Sequence, residues 1–449
     1  MTEADRYYRK MTETPVSRLI VALGIPTTVS MLITNVYNLA DTYFVGGLGE
    51  SQQAATGVLF TLQAIIQALA FMLGHGSGTY VSKALADHDV KEASSYASSA
   101  FFVGAGVGVI FSVLGLAFIE PLARLLGSTE TILPYAIDYG MWVLIACPFM
   151  VCSLVLNNNL RYEGKAFYAM IGLTAGGLLN ILGDYILISV LEMGVYGAGL
   201  STAVSQMVSF AILLLLYIRE AQSKISVRAV SRKAFVYSNI VKNGFPSLIR
   251  QGLSSISNGL LNNLTKPFGD AAIAAMSVVN RFSAFVMCVG LGIGQGFQPV
   301  AAFNYRAEKY KRVKEGLVFT TFFGLAFVGI LAVGGFVFAP DIVRFFQESA
   351  VVVEIGTFAL RMACIGVMFL PLSVPVNMLY QSIRYSGVAS FLSLMRSGLT
   401  FIPTLLVGAT FFNLAGIQCA QPIADVLTGL ISIPFMLHFL SKDHTREPS

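Results

Sequence analysis

The chain has 449 residues, 55% of them hydrophobic and only 12% charged, with a mean hydropathy of +0.71. A soluble domain carries about 25% charged residues, so this composition excludes an ordinary water-soluble fold and places most of the surface against lipid. The net charge of +5 does not indicate a nucleic-acid partner, because the basic residues lie on one side of the expected topology rather than in a patch.

Apolar stretches long enough to cross a bilayer, about 20 residues each, fall roughly at 18–45, 52–78, 92–118, 132–157, 166–191, 195–218, 239–265, 272–302, 314–339, 352–380, 388–411 and 415–440. The first follows a short polar start and has no small-residue cleavage site after it, so it reads as a span and not a removed signal peptide. Charged segments follow spans 2 and 8, at 86–93 and 305–315, and are expected to form short amphipathic helices at the membrane surface. The longest polar connection, 219–238, divides six spans from six.

The two sets of six are copies. Gly24-Ile25-Pro26 returns as Gly244-Phe245-Pro246, 220 residues on; Gly74, Gly76 and Gly78 return as Gly292, Gly294 and Gly296; Arg161-Tyr162-x-Gly164 returns as Arg384-Tyr385-x-Gly387. The expected fold is an all-α polytopic membrane protein of twelve transmembrane helices in two homologous six-helix lobes. The N-lobe is 1–218, the linker 219–238 and the C-lobe 239–449. Duplicated membrane halves of this kind are the usual build of a secondary transporter. The glycines suit close helix packing in lipid. Pro26 and Pro246 each remove a backbone donor, so Pro26 is expected to kink the first helix.

With twelve spans both termini share a side, and that side holds 22 of the 29 basic residues, from Arg6 through Arg446; the opposite side holds Arg124, Lys266 and Arg344. This asymmetry predicts a multi-pass protein of the cell membrane, inner or plasma, with both termini cytoplasmic. Cys147, Cys152, Cys288, Cys364 and Cys419 lie in apolar spans without metal-ligand spacing and read as small buried hydrophobes. His75, between glycines, reads as a local polar contact. No metal beyond a Na+ ion is expected, and no nucleophile or metal constellation suggests an enzyme.

Two carboxylates stand in the spans, where a charge costs about 2.5–3.5 kcal/mol. Asp41 closes Tyr37-Asn38-Leu39-Ala40-Asp41, and Asp184 follows Asn180 by one helical turn. Counted from the basic ends of their spans, both lie about 30–35 Å along the helix. Thr34, Tyr37, Asn38 and Asp41 share one face, and Tyr139 and Thr202 reach a similar depth on neighbouring spans. Such an oxygen-rich set suits a proton or an alkali cation and not a soft metal. The repeat-equivalent positions, Leu261, Leu399 and Pro403, carry no such groups, so the second half is expected to lack the carboxylate site. Candidate cavity residues are Asn157, Gln251, Asn258, Met276, Asn280, Met287 and Gln295.

The repeated halves, Gly24-x-Pro26, the segment ending at Asp41, Asn180-x-x-x-Asp184 and the Arg161-x-x-Gly164 turn together resemble the multidrug and toxic compound extrusion (MATE) family over essentially the whole chain. Within it the chain is most similar to the bacterial branch with an N-lobe carboxylate site. The resemblance implies export of amphipathic, often cationic compounds, driven by H+ or Na+ entering from outside, with no other cofactor. It maps the N-lobe cation site onto Asp41, Tyr139, Asn180, Asp184 and Thr202, to which the shared helical face adds Tyr37. The family's other branch needs acidic residues in span 7 or 10. Here span 7 has Arg250 and Gln251, and span 10 has Asn377 and Gln381, which argues against a C-lobe cation site. The expected partners are a small amphipathic molecule and the bilayer, with no nucleic acid and a monomeric protein. A lipid-linked saccharide flippase of the wider superfamily is the alternative; twelve spans speak against it, while Arg250, Arg281 and Arg396 keep it open.

Overall fold

The structure, a computed structural model, describes residues 3–346 and 349–442; Arg446, counted among the basic residues above, lies outside them. Sixteen α-helices occur among the described residues, and no strand. They are α1 (Glu3–Glu13), α2 (Val16–Gly46), α3 (Glu50–Ala86), α4 (Val90–Ala117), α5 (Ile119–Leu125), α6 (Leu133–Tyr162), α7 (Ala166–Asp184), α8 (Gly194–Glu220) and α9 (Ala234–Thr265), then α10 (Asp270–Arg306), α11 (Tyr310–Val337), α12 (Ala339–Phe346), α13 (Ala350–Val367), α14 (Leu370–Ser382), α15 (Ser386–Leu394) and α16 (Phe401–Ser441). Among the described residues, ten helical segments are long and apolar enough to span a membrane. The predicted twelve spans are reached with α9 and with α16 divided at Asn413, whose φ of 52° and ψ of −135° join two helices at a bend.

The charged segments after spans 2 and 8 do not form separate helices. Asp87–Asp89 and 307–309 are turns, Asp89 caps α4 by accepting from the Glu92 N–H at 2.8 Å, and the flanking residues of each segment belong to the ends of α3 and α10 and the first turns of α4 and α11. Capping and helix propagation win here because so few residues separate the two spans. Short helices occur instead at α1, α5, α12 and α15.

The chain folds as two compact units, and these do not follow its halves. Unit 1 comprises Met1–Tyr8 and Val29–Gln251; unit 2 comprises Arg9–Thr28 and Gly252–Ser449. Each unit thus takes the first stretch of the long opening helix, α2 or α9, from the other half, whereas the boundaries drawn from sequence keep α2 whole in the N-lobe and divide α9 only at 238/239. The repeated glycines explain how. In unit 1, a Cβ on Gly244 would lie 1.9 Å from the Met72 carbonyl oxygen, and one on Gly76 2.0 Å from the Ile240 oxygen. In unit 2, a Cβ on Gly296 would lie 2.4 Å from Gly24 Cα, and one on Gly292 2.1 Å from Thr28 Oγ1. Backbones approach this closely only without side chains. The same duplicated contact is therefore made twice, once in each unit, each time with the exchanged segment.

Within unit 1, α6 is the central helix and packs on α3, α4 and α8. Unit 2 is held by an apolar core of Val279, Leu360, Phe401, Leu405 and Ile417 with their neighbours. Helix α2 continues through Pro26, which leaves the Ala22 carbonyl without its usual donor four residues on. Asn157 Nδ2 donates to the Ala169 carbonyl at 3.0 Å, and Asn377 Nδ2 donates to the Ala389 carbonyl at 2.7 Å. Both pairs are 220 residues apart, so this tie between successive spans belongs to the duplicated scaffold.

Candidate functional site

The carboxylate-bearing site is built on α2, α6, α7 and α8 of unit 1. Small residues let these helices approach. A Cβ on Gly177 of α7 would meet Ile33 of α2 at 2.8 Å, one on Gly183 would meet Ser201 of α8 at 2.5 Å, and one on Gly199 would meet the Tyr139 carbonyl of α6 at 3.1 Å. Immediately after Asp184 the helix widens into a π-helical turn, Tyr185–Val190, marked by the Leu191 N–H donating to the Ile186 carbonyl at 2.9 Å. Such turns recur at functional sites, where they re-aim side chains.

Asp184 is fully buried, and neither carboxylate oxygen accepts a hydrogen bond. Ser201 lies beside it but turns its hydroxyl to the Asn180 carbonyl, at 3.0 Å. Asn180 Nδ2 donates to Thr202 Oγ1 at 3.3 Å, and its Oδ1 is buried without a donor. Asp41 accepts from the Tyr139 hydroxyl through Oδ2 at 3.4 Å, while Oδ1 is buried and unbonded. Tyr139 itself accepts from Gln63 Nε2 at 3.2 Å. Asp184 is within electrostatic range of Asp41 and Tyr139, and Tyr37 is within range of Asp41 and contacts Gln206.

All six residues proposed for the cation therefore lie in one unit on four adjoining helices. Four of their oxygens (Asp41 Oδ1, Asn180 Oδ1 and both of Asp184) are buried acceptors with no donor. Buried acceptors without partners are expensive and are rarely left so. Such oxygens suit a hard monovalent cation, which draws on several of them at once, or a proton, which bonds one and lets it donate to a second. The residues present fit that ion, and the positive charge would offset the burial of two carboxylates.

The seven cavity candidates are more scattered. Asn157 and Gln251 belong to unit 1, the other five to unit 2. Asn157 is committed to the helix tie described above. Met276 is buried in the apolar core of unit 2, with Met287 packed against it. Gln295 is also buried, Asn280 is half-buried, and Asn258 is exposed. His75 makes the local contact expected of it, with Ser247 Oγ 2.9 Å from Nδ1.

Sequence reasoning missed two buried acids. Asp425, on α16, is a carboxylate inside a span of the second half, which was expected to lack one. It bonds Arg396 Nε at 2.8 Å and Gln421 Nε2 at 2.9 Å. It escaped notice because the search used positions equivalent to Asp41 and Asp184, whereas Asp425 falls opposite Gln206 at the 219-residue offset. The acid and Arg396 together in apolar runs were the signal. Glu163 caps α6 and is fully buried, accepting from the Gln222 N–H at 2.6 Å, the Ser223 N–H at 3.3 Å, the Ser223 hydroxyl, and Tyr217 at 3.5 Å. Burial pushes this carboxyl up from 4.5 to about 7. It fastens the start of the 219–238 connection to unit 1, a role that only the fold reveals.

Two repeated sets of apolar helices, with unpaired carboxylates held inside the spans of one, define a multi-pass membrane protein of the duplicated kind. The family model MatE matches residues 26–186 and 246–407, the two stretches starting 220 residues apart. The chain belongs to this family, as the motifs in its sequence had implied. It is 25% identical over 448 residues to a protein named multidrug export protein MepA of Staphylococcus aureus strain MRSA252, and 24% identical over 449 residues to its namesake in Staphylococcus saprophyticus; each alignment covers 99% of this chain and 97% of the relative. Among solved structures, an outward-facing multidrug resistance MATE family transporter of the MOP superfamily superimposes with a TM-score of 0.91 at 24% identity, covering 98% of both chains. A MATE crystal structure in complex with MaL6 gives 0.91 at 23% identity over 98% of this chain and 99% of that one. These neighbours share the two-lobe, twelve-helix fold.

Proposed function

We propose that this protein is a secondary antiporter of the cell membrane that exports amphipathic drugs or toxic compounds while H+ or Na+ moves inward. The observation that carries the reading is the set of four donorless, buried oxygens on Asp41, Asn180 and Asp184. Relatives named multidrug export proteins supply the substrate class.

In this mechanism the cation bonds Asp184 and Asp41, and Asn180, Thr202, Tyr139 and Tyr37 hold the two carboxylates in place. With the cation bound, the carboxylate oxygens are satisfied and α2, α7 and α8 stay packed; without it, two negative charges face each other in a low dielectric. The two states differ in helix packing, so ion loading shifts the balance between conformations and with it the affinity for substrate. No bond of the substrate is made or broken. Both termini and the 219–238 connection face the cytoplasm, in keeping with the basic-residue asymmetry, and the protein works as a monomer.

The test is dye release from loaded vesicles under an imposed pH or Na+ gradient. Efflux should follow one gradient and stop when it is collapsed. Efflux that ignores both gradients refutes the coupling.

A further inference from the structure

The buried ion pair of unit 2 has no part in the cation site. Arg396 lies on a second π-helical turn, Met395–Leu399, marked by the Thr400 N–H donating to the Met395 carbonyl at 2.9 Å. It stands ten residues beyond Ser386, where the helix begins, about 15 Å along it and so near mid-membrane. Its partner Asp425 is 3% exposed, while the Arg396 side chain is 21% exposed. The acid is thus the hidden member of the pair, and the arginine side chain the partly exposed one. Charged side chains at this depth characteristically face the bundle interior or a water-filled cavity, because lipid cannot solvate them.

The pairing uses only one edge of the guanidinium. Nε donates to Asp425 Oδ1, and neither Nη donates to any group among the described residues. Asp425 Oδ1 also accepts from Gln421 Nε2, which helps to hold the acid in place. The next residue, Ser397, is held by Ser257, whose hydroxyl donates to the Ser397 carbonyl at 2.5 Å, and by Ser254 Oγ, 3.3 Å from its own hydroxyl. The turn bearing Arg396 is therefore braced, and the guanidinium presents two free Nη groups in a set orientation. Two parallel N–H donors are the geometry that binds a carboxylate bidentately.

Charge narrows the ligand further. Arg396 and Asp425 together are neutral, so an anion arriving alone would leave a net negative charge in the membrane. A molecule carrying its own cationic centre would not. We propose that Arg396 is a recognition site for the carboxylate of zwitterionic amphiphiles, bound through Nη1 and Nη2 while Asp425 keeps Nε. The inference rests on the export reading above and names one class of its substrates.

Rhodamine B and its ethyl ester differ at one carboxylate and make the comparison direct. Binding of each to the purified full-length protein in detergent is followed by fluorescence anisotropy, with no gradient present. The acid should bind about tenfold more tightly than the ester, the value of one charge-assisted hydrogen bond. In Arg396→Gln with Asp425→Asn, which removes both charges and strands neither, the ratio should fall to about one. In Arg396→Lys, which keeps the charge and loses the fork, it should fall at least about threefold. Equal binding of the two dyes to the wild type, or an unchanged ratio in either variant that elutes as a monodisperse peak, overturns the proposal and leaves the export reading standing. Binding of neither dye overturns both.

Discussion

Asp184→Asn separates a coupling role from a structural one. The side chain is fully buried, with two acceptors and no donor. The amide keeps the volume, replaces one stranded oxygen with an NH2, and places that donor one helical turn from the stranded Oδ1 of Asn180. A stranded buried acceptor costs about 1–3 kcal/mol, and more when charged. In Na+-free buffer at alkaline pH the variant should therefore be more stable than the wild type by about that amount. The wild type should gain stability on cation loading, about 2.7 kcal/mol when the ion is at a hundred times its dissociation constant, and the variant should gain almost none. Thermal unfolding across Na+ concentration and pH reads both differences; dye efflux from vesicles reads the consequence, which is loss of gradient-driven export at normal expression. Full efflux by Asp184→Asn at wild-type expression would refute the mechanism. Lost expression together with lost binding would make Asp184 a structural residue.

The remaining predictions concern the scaffold. Burial raises Glu163 from 4.5 to about 7; a carboxyl so raised contributes stability that is present below about pH 4.5 and is lost as pH rises through 7. The stability difference between wild type and Glu163→Gln should shrink by about 3 kcal/mol over that interval, as read by chemical unfolding at several pH values, and a difference independent of pH would contradict it. Glu163→Ala should also accelerate amide hydrogen exchange at Gln222 and Ser223, detectable by mass spectrometry. Gly244→Ala, whose Cβ would sit 1.9 Å from the Met72 oxygen, should destabilise by at least about 3 kcal/mol, seen as loss of monodisperse protein. Asn157→Ala should lower stability by about 0.5–1.5 kcal/mol by removing the amide's bond between successive spans, and Asn377→Ala should do the same in unit 2.

Much of the architecture was legible because lipid makes sequence simple. Every span had to be apolar, and a duplicated scaffold had to repeat its prolines and glycines at a fixed spacing. Asp41 and Asp184 stood out for the same reason, as charges where charges are costly. Tertiary partners were harder to read. Gly76 and Gly244 could be paired with close packing, but not with the exchange that carries 9–28 into unit 2 and 234–251 into unit 1, since hydropathy says nothing about which helices touch. Asn157 looks the same on paper whether it binds substrate or ties two helices. In the fold its amide donates to the Ala169 carbonyl, as its twin Asn377 donates to Ala389. Asp425 was masked by the comparison between halves, which finds residues that repeat or fail to repeat at chosen positions and passes over a new pair elsewhere. Glu163 sits beside a polar turn where a carboxylate is unremarkable, and only the return of the chain at 222–223 buries it.

The direct test of exchange reverses the usual experiment. Proteoliposomes carrying a trapped pH or Na+ indicator are given a dye gradient and no ion gradient. Movement of the dye should drive H+ or Na+ the opposite way, and Asp184→Asn should abolish that ion movement. Dye crossing through the wild-type protein with no counter-movement of either ion would contradict antiport and the role assigned to the two carboxylates.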